Sequence, residues 1–338
     1  MKIAVDGFGG DNAPDEILKG CAAAAEEFGA EIVVTGDEKV LLSRFSGLGL
    51  SRGNISIADA DGVIGVEDNP LDIRTTKSKT SMGTAFGLVK SGEADAFVSA
   101  GSTAALMAGG SMVIGRIKGV KRPALAPIMP SVVGRYLLID GGANTQCRPE
   151  MLLQFGIMGG VYAEKIMGIE NPRVGLLNIG TEEEKGRELE CAAYALLKAA
   201  PLNFIGNTEA RDVPVGGCDV IVTDGFTGNV YLKTVEGMGA FMKMSLKSLF
   251  TESVASKAGY LFVKGGVRNM TRKSDYREVG GSPLLGTAKP VIKAHGSSDA
   301  KAVKNAIKQA MDFSGSGATD EIARKLRETS APNGEVSL

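Results

Sequence analysis

The sequence of 338 residues has no tryptophan, a single histidine and few cysteines, and its charges nearly cancel. The cysteines show no CxxC spacing, which argues against a zinc site and a disulfide framework, so we expect free thiols. A formal net charge of −1 offers no general attraction for nucleic acid, and no nucleic-acid partner is expected. The four cysteines are Cys21, Cys147, Cys191 and Cys218.

Long apolar runs are also missing, although 43% of the residues are hydrophobic. No segment is long enough to span a bilayer. The first residues, MKIAVDGFGG, pass from a short apolar run into a glycine turn and lack the apolar stretch and cleavage site of a signal peptide. We therefore expect a globular protein located in the cytoplasm.

Short apolar runs alternate with segments of helical spacing along most of the chain. Continuous apolar runs that end in Gly, Asp, Asn or Ser are typical of strands in a sheet covered on both faces, which predicts a layered α/β fold. We expect one α/β unit over residues 1–312, in one or two lobes, with a protruding helical segment near 241–273. A Gly/Ser break, a short helix and a frayed tail are expected over 313–338. Predicted strands lie at 2–6, 31–37, 55–59, 94–101, 124–130, 135–142, 173–180, 202–207 and 218–225.

Seven of the predicted strand ends carry glycine and small polar residues. In layered α/β folds, ligands gather outside the carboxyl ends of the strands. No end has the GxGxxG dinucleotide pattern or the GxxxxGK[ST] phosphate loop, and a single glycine turn often serves backbone geometry alone. Together they predict a cleft lined by backbone amides, where an anion would be attracted to helix starts. The ends are 6–14, 99–107, 140–144, 178–186, 206–212, 223–229 and 294–299.

The motifs IAVDGFGGDNAP, SAGSTAALM, PRVGLLNIGTEEEKG, VIVTDGFTGNV and PVIKAHGSSD follow one another between Lys2 and about Gln309. In this order they resemble the bacterial acyl-acyl-carrier-protein:phosphate acyltransferases, the acyl phosphate synthases of phospholipid biosynthesis. Phe8, Asn12 and Ser102 stand where that family commonly has Met, His and Asn, so no histidine role in the first loop is carried over.

This resemblance implies a three-layer α/β/α sandwich with a mostly parallel sheet, similar to isocitrate dehydrogenases and phosphotransacetylases. It implies transfer of a fatty acyl group from the thioester of acyl carrier protein to inorganic phosphate. It also implies a homodimer that associates peripherally with the inner membrane face and supplies a downstream glycerol-3-phosphate acyltransferase.

The chemistry of this reaction fits the residues present. Phosphate is already a nucleophile, so the reaction needs no Ser-His pair, metal or cofactor, only a cradle and donors for the charge that develops on the thioester oxygen. We predict that Lys185 neutralises charge and that Asn229 orients phosphate or donates to the oxyanion. Further candidates for substrate or phosphate binding are Asp6, Gly9, Gly10, Asp11, Gly101, Ser102, Thr103, Asn144, Asp224, Gly225, Thr227, Gly228 and His295.

Each of these predictions has a structural alternative. Lys185 follows three glutamates and could be a solvated lysine on the first turn of a helix. Asn229 could be a helix N-cap, and Asp11 or Asn12 could cap the helix that begins at Pro14. His295 could carry a proton or be a hydrogen-bonded structural residue, and we favour the structural role. Cys147 could be a thioester-exchange nucleophile, but we expect no such role, because no histidine lies nearby in sequence to lower its pKa.

The segment 241–273 combines apolar residues at every fourth position with seven basic residues and one acidic residue. Such a segment can lie on an anionic membrane surface, dock the acidic carrier protein, or face the core or a second subunit. The candidate contacts are Phe250, Val254, Lys257, Phe262, Lys264 and Arg268.

Two other classes of function remain open. A phosphotransacetylase-like enzyme would use acyl-CoA and would need a subsite for its adenine nucleotide. A non-catalytic acyl-lipid-binding protein, or a dehydrogenase of similar fold, is the third class, and the missing dinucleotide fingerprint disfavours the dehydrogenase.

Overall fold

The computed structural model describes residues 1–273 and 275–330, in which strands and helices alternate. The strands are β1 (Lys2–Asp6), β2 (Glu31–Gly36), β3 (Ile55–Asp59), β4 (Ala96–Ser99), β5 (Ala124–Leu125), β6 (Ile128–Ser131), β7 (Gly134–Ile139), β8 (Val174–Asn178), β9 (Phe204–Glu209), β10 (Val220–Val222), β11 (Gly281–Leu285) and β12 (Val291–Ala294). The α-helices are α1 (Asp15–Phe28), α2 (Glu38–Gly47), α3 (Ser81–Ser91), α4 (Thr103–Gly109), α5 (Pro149–Lys165), α6 (Glu188–Ala199), α7 (Gly225–Thr251), α8 (Val254–Lys273), α9 (Ala300–Gly315) and α10 (Ala318–Ser330).

The strands form two sheets, both mostly parallel. One has seven strands in the order β3-β2-β1-β4-β12-β11-β5, with β11 antiparallel to both of its neighbours. The other has the order β6-β7-β10-β8-β9, with only β6 antiparallel to its neighbour. The predicted α/β class with mostly parallel strands is confirmed, but the expectation of a single sheet is wrong.

Pro127 accounts for the division between the sheets. Residues 124–130 were predicted as one strand, but a proline has no N–H to continue a strand ladder. Residues before it form β5 and pair with β11, whereas residues after it form β6 and pair with β7. The sheets remain adjacent, because the carbonyl of Leu125 accepts a hydrogen bond from Gly141 at 2.8 Å, just beyond β7.

One hydrophobic core extends under both sheets. It contains Ile3 and Val98 from the first sheet and Leu137 from the second, each less than 2% exposed. The helices of the two sheets also meet, since the rings of Tyr162 on α5 and Phe313 on α9 pack edge to face with centroids 5.4 Å apart. This shared core fixes the rims of the two sheets relative to each other.

The segment predicted as one amphipathic stretch forms two helices. α7 ends at Thr251 and α8 begins at Val254, so the four-residue spacing does not continue on one helix face. The Phe250 ring packs against Tyr260 with centroids 5.1 Å apart, whereas Val254 and Phe262 are 83% and 90% exposed. No helix within the described residues combines the length and apolarity needed to cross a bilayer.

At the carboxyl end of the chain, α9 runs through Gly315, so the predicted break begins later than residue 313. The short helix expected after it is α10, and the frayed tail predicted beyond it falls on residues 331–338, outside the described residues.

Candidate functional site

The predicted site residues lie near the carboxyl ends of strands, in two groups that also contain residues not predicted from the sequence. The Asp6 cluster, at the rim of the first sheet, follows β1, β4 and β12. The Asp224 cluster, at the rim of the second sheet, follows β7, β8 and β10. The Asp6 cluster consists of Asp6, Gly9, Gly10, Asp11, Ser99, Gly101, Ser102, Thr103, Lys293 and His295. The Asp224 cluster consists of Asp140, Gly141, Gly142, Asn144, Lys185, Arg187, Asp224, Gly225, Thr227, Gly228 and Asn229.

Asp6 is the buried centre of its cluster, with 1% of its surface exposed. Its carboxylate accepts hydrogen bonds from the Ser99 hydroxyl at 2.8 Å and from the N–H of Phe8 at 3.2 Å. Burial raises the pKa of Asp6, and these hydrogen bonds oppose the rise. Gly9 packs so closely that an added Cβ would stand 2.5 Å from the Asp6 carboxylate and 2.7 Å from the Gly101 nitrogen. Glycine is therefore required at position 9 to close this turn.

Lys293 on β12 is a member of this cluster that the sequence analysis missed. Its Nζ lies 3.3 Å from the carbonyl oxygen of Ala100 and also donates to that of Ala294. Burial lowers the pKa of Lys293 to about 8, while the carboxylates of Asp11 and Asp6 act in the opposite direction. A single lysine inside the apolar run PVIKAH was the signal that could have pointed to it.

The other predicted residues of the Asp6 cluster make mainly structural contacts. The N–H of Asp11 donates to the carbonyl of Gly296 at 2.8 Å. Pro14 is at the N-cap of α1 with no side-chain cap, so the alternative of Asp11 or Asn12 as its cap is wrong. The Ser102 hydroxyl caps α4, and His295 Nδ1 lies 2.9 Å from the Ser297 hydroxyl. Gly10 and Gly101 lie on the turns beside them, and Thr103 is the first residue of α4.

Asp140 organises the loop after β7. Its side chain is fully buried, and five N–H groups donate to it at 2.7–3.1 Å. Burial raises the pKa of Asp140, and the hydrogen bonds from Gly142, Ala143 and Asn144 oppose the rise. The Nδ2 of Asn144 donates both to Asp140 and to the carbonyl of Pro123, each at 2.8 Å, so its two hydrogens are engaged within the loop. The donors are the backbone N–H groups of Leu125, Gly142, Ala143 and Asn144 and the side-chain amide of Asn144.

Asp224 caps α7, which begins at Gly225. Its Oδ1 accepts from the N–H groups of Phe226 and Thr227 at 3.0 and 2.9 Å, and its Oδ2 accepts the Thr227 hydroxyl at 2.9 Å. The N–H of Gly225 donates to the Asn144 carbonyl at 2.7 Å. The helix start therefore does attract an anion, but that anion is the Asp224 carboxylate, and these amides already have acceptors.

Burial raises the pKa of Asp224, but the N–H of Thr227 and the Arg187 guanidinium outweigh it and hold the pKa below its usual range. Asp224 is thus a fixed negative charge under the first turn of α7.

Asn229 lies on the second turn of α7, where it is exposed. The alternative that Asn229 is the N-cap is wrong, because Asp224 has that role. Its Nδ2 donates to the Gly141 carbonyl at 3.2 Å. Gly228 beside it is obligatory, since an added Cβ would stand 1.9 Å from the Asp140 carbonyl oxygen. The close packing of α7 on the 140–144 loop therefore sets the position of Asn229.

Lys185 lies in the loop between β8 and α6, and its side chain is exposed. The alternative that places it on the first turn of a helix is wrong, because α6 begins at Glu188. The Lys185 carbonyl accepts from Asn178 Nδ2 at 2.8 Å, which ties the loop back to the end of β8. Since β8 and β10 are neighbouring parallel strands, the loop with Lys185 and the helix with Asn229 leave from adjacent positions on one rim.

Arg187 connects these two segments and was missed by the sequence analysis. Its guanidinium binds Asp224 Oδ2 at 2.5 Å and also pairs with Glu190 on α6. The sequence KGRELE shows a basic residue in a turn after a strand, but the Asp224 partner, 37 residues away, cannot be read from it.

Cys147 lies beside the Asp224 cluster, and its Sγ is 3.4 Å from the Asn144 carbonyl oxygen. Burial raises the pKa of Cys147 to about 12, so the thiol is protonated at neutral pH and is a weak nucleophile.

A family model and the related proteins of known name agree on one family for this chain. Residues 1–320 match a family described as "Fatty acid synthesis protein". The chain is 47% identical over 329 residues to a phosphate acyltransferase of Caldanaerobacter subterraneus, covering 97% of each chain. It is 49% identical over 314 residues to a phosphate acyltransferase of Thermoanaerobacter pseudethanolicus, covering 93% of each. Its fold is similar to a phosphotransacetylase from Streptococcus pyogenes, with a TM-score of 0.65 at 18% identity over 93% of this chain and 94% of the other.

Proposed function

Since the chain belongs to the phosphate acyltransferase family and is an acyltransferase of fatty acid and phospholipid synthesis, we propose that acyl carrier protein is its acyl donor. In the proposed reaction, an oxygen of inorganic phosphate attacks the thioester carbonyl of the fatty acyl group. The carbonyl carbon forms a bond to phosphate, the carbon–sulfur bond breaks, and the carrier protein leaves as a thiolate that takes up a proton. The product, an acyl phosphate, is the substrate of a downstream glycerol-3-phosphate acyltransferase.

The observation that carries this proposal is the pairing of the β8 loop with the first turn of α7 through Arg187 and Asp224. This contact links the loop of Lys185 to the start of the helix of Asn229, on the rim that the neighbouring strands β8 and β10 share. Lys185 supplies positive charge for phosphate, and Asn229 supplies an amide N–H for phosphate or for the thioester oxygen. Neither role requires a change of charge on the protein, which suits a nucleophile that is already an anion.

The decisive experiment incubates the protein with long-chain acyl carrier protein and phosphate and traps acyl phosphate with hydroxylamine. Parallel reactions contain acyl-CoA or NAD(P) in place of the carrier protein. We expect acyl hydroxamate to form with acyl carrier protein and to depend on phosphate. Product from acyl-CoA alone would favour the second candidate, a phosphotransacetylase-like reaction, which the similarity of fold supports. No product with either donor would contradict both.

We also propose that α8 makes a peripheral contact, with an anionic membrane at the inner face or with the acidic carrier protein. Its apolar Val254 and Phe262 are exposed, and so are the basic residues Lys257, Lys264 and Arg268. Phe250 is not part of this surface, because its ring packs on Tyr260.

Neutralising the three basic residues with Lys257→Gln, Lys264→Gln and Arg268→Gln should weaken one of these contacts, because each charge near an anionic membrane contributes about 1 kcal/mol. Binding to anionic liposomes and affinity for acyl carrier protein are measured separately. A Val254→Ser, Phe262→Ser variant with the charges intact is the matched control for apolar insertion. If the triple variant changes neither binding, both proposed contacts are wrong.

A homodimer is proposed on the exposed apolar residues of α7. Phe241 and Met244 are 60% and 72% exposed, which is unusual for large apolar side chains on one helix. Sedimentation equilibrium distinguishes a dimer from a monomer.

A further inference from the structure

Two Arg–Asp pairs join the segments that flank β8 and β10, one pair before the strands and one after them. At the amino ends, the Arg173 guanidinium binds Asp219 with Nε–Oδ2 at 3.0 Å and Nη2–Oδ1 at 2.9 Å. At the carboxyl ends, Arg187 Nη2 binds Asp224 Oδ2 at 2.5 Å. The chain therefore contains two chemically matched pairs across the same two strands, of which only one lies at the proposed site.

The pair at the carboxyl ends links two segments that carry the proposed phosphate ligands. Lys185 lies two residues before Arg187 in the same loop, and Asn229 lies on the second turn of α7, the helix that Asp224 caps. Other hydrogen bonds tie the loop to β8 and β9, through Asn178 to the Lys185 carbonyl and through Asn207 to the Glu182 carbonyl. Lys198 and Cys191 tie it to α6, through the Glu183 carboxylate and the carbonyls of Glu184 and Lys185. Arg187 thus provides a connection from this loop to α7.

Loss of Arg187 should loosen this connection without unfolding α7. Asp224 keeps its bonds from Phe226, from Thr227 and from the Thr227 hydroxyl, so its charge stays hydrogen-bonded. The planar guanidinium reaches Asp224 and Glu190 at once, which a lysine ammonium cannot reproduce with the same geometry.

We infer that Arg187 is a positioning residue, which sets the distance between the Lys185 loop and Asn229 by binding Asp224, and this inference rests on the proposed function. It acts through Asp224 and Glu190 on the placement of the groups that hold phosphate. The pair Arg173–Asp219 lies at the amino ends of the strands, away from these groups, so we expect it to leave that distance unchanged.

The test compares Arg187→Gln with the matched control Arg173→Gln, using acyl carrier protein and phosphate at varied concentrations. We expect Arg187→Gln to lower kcat/KM for phosphate roughly 10- to 100-fold, the effect of misplacing groups by about 1 Å. The KM for acyl carrier protein should stay unchanged, and Arg187→Lys should recover part of the loss. Arg173→Gln should lower Tm and leave both KM values unchanged.

A double-mutant cycle with Asp224→Asn tests whether Arg187 acts through Asp224. Each of the two substitutions breaks the same contact between Arg187 and Asp224. The loss of kcat/KM in the double variant Arg187→Gln, Asp224→Asn should therefore be smaller than the product of the two single losses. Equal kinetic effects of Arg187→Gln and Arg173→Gln, or additive effects in the cycle, would overturn the inference.

A readout independent of turnover separates this inference from the proposed function. The Cys191 thiol of α6 lies 3.4 and 3.5 Å from the carbonyl oxygens of Glu184 and Lys185, so its alkylation rate reports on the loop. We expect Arg187→Gln, but not Arg173→Gln, to speed alkylation at Cys191, measured by peptide mapping. If the wild-type protein makes no acyl phosphate, the proposed function fails, whereas unchanged alkylation in Arg187→Gln contradicts the positioning role.

Discussion

Replacing Asn229 with alanine is expected to lower kcat on the order of a hundredfold or more, because one donor to a developing oxyanion typically contributes about 3 to 4 kcal/mol. The structure makes this substitution informative about chemistry. Asn229 lies inside α7 and does not cap it, its side chain is exposed, and alanine has the highest helix propensity. The fold should therefore tolerate the change, and the loss should be catalytic.

The measurement is steady-state kinetics with phosphate as the varied substrate, together with a thermal melt. Thr234→Ala, an exposed position on the same helix, is the matched control and should leave kcat within about twofold, as expected for a surface site. An Asn229→Ala enzyme that retains a third or more of the wild-type kcat would show that Asn229 takes no part in the transition state.

The same kinetics distinguish the two roles left open for Asn229. If its amide donates only to the oxyanion, kcat and kcat/KM fall together and the KM for phosphate stays constant. If it orients phosphate in the ground state as well, the KM rises. Asn229→Asp keeps the size but replaces a donor with an anion, so we expect it to lose at least as much activity as alanine.

The local parts of this fold could be predicted from the sequence, because apolar runs and turn residues act over a few positions. β1 and β3 have the bounds that their sequences predict. The partition into two sheets could not be predicted, since it depends on which strand each side of Pro127 pairs with. β11 was also missed, because its sequence GSPLL contains a glycine and a proline that are rare inside strands.

The candidate site, like the fold, could be predicted only in part from the sequence. Glycine-bearing strand ends can be read from sequence, and they do lie at the rims of the sheets. The hydrogen-bond and charge partners of their polar groups cannot be read from sequence, because they come from distant parts of the chain. Asp224 pairs with Arg187 from another strand end, and the arrangement of three strands buries Lys293 near Asp6. The amides at the start of α7 are the clearest example. The sequence predicts that they attract an anion, but the anion they bind is the Asp224 carboxylate of the protein itself.

Asp140→Ala is expected to destabilise the protein by at least about 3 kcal/mol, the largest effect on stability that the site predicts. Five N–H donors converge on this fully buried carboxylate, and each buried donor left without an acceptor costs about 1 to 3 kcal/mol. Even if water reaches some of them, the remaining cost exceeds that of an average substitution. The free energy of unfolding from urea titration measures the loss.

Two further variants show whether the loss arises from these donors. Asp312→Ala removes an exposed carboxylate paired with Lys308 at 2.6 Å, and it should change the free energy of unfolding by less than about 1 kcal/mol. Asp140→Asn keeps the volume and one acceptor oxygen but turns an amide N–H toward other donors, so its loss should lie between those of the other two. A loss for Asp140→Ala no greater than that for Asp312→Ala would show that the 140–144 loop holds its shape without the carboxylate. Asn229 would then owe its position to the packing of Gly228 against the Asp140 backbone alone.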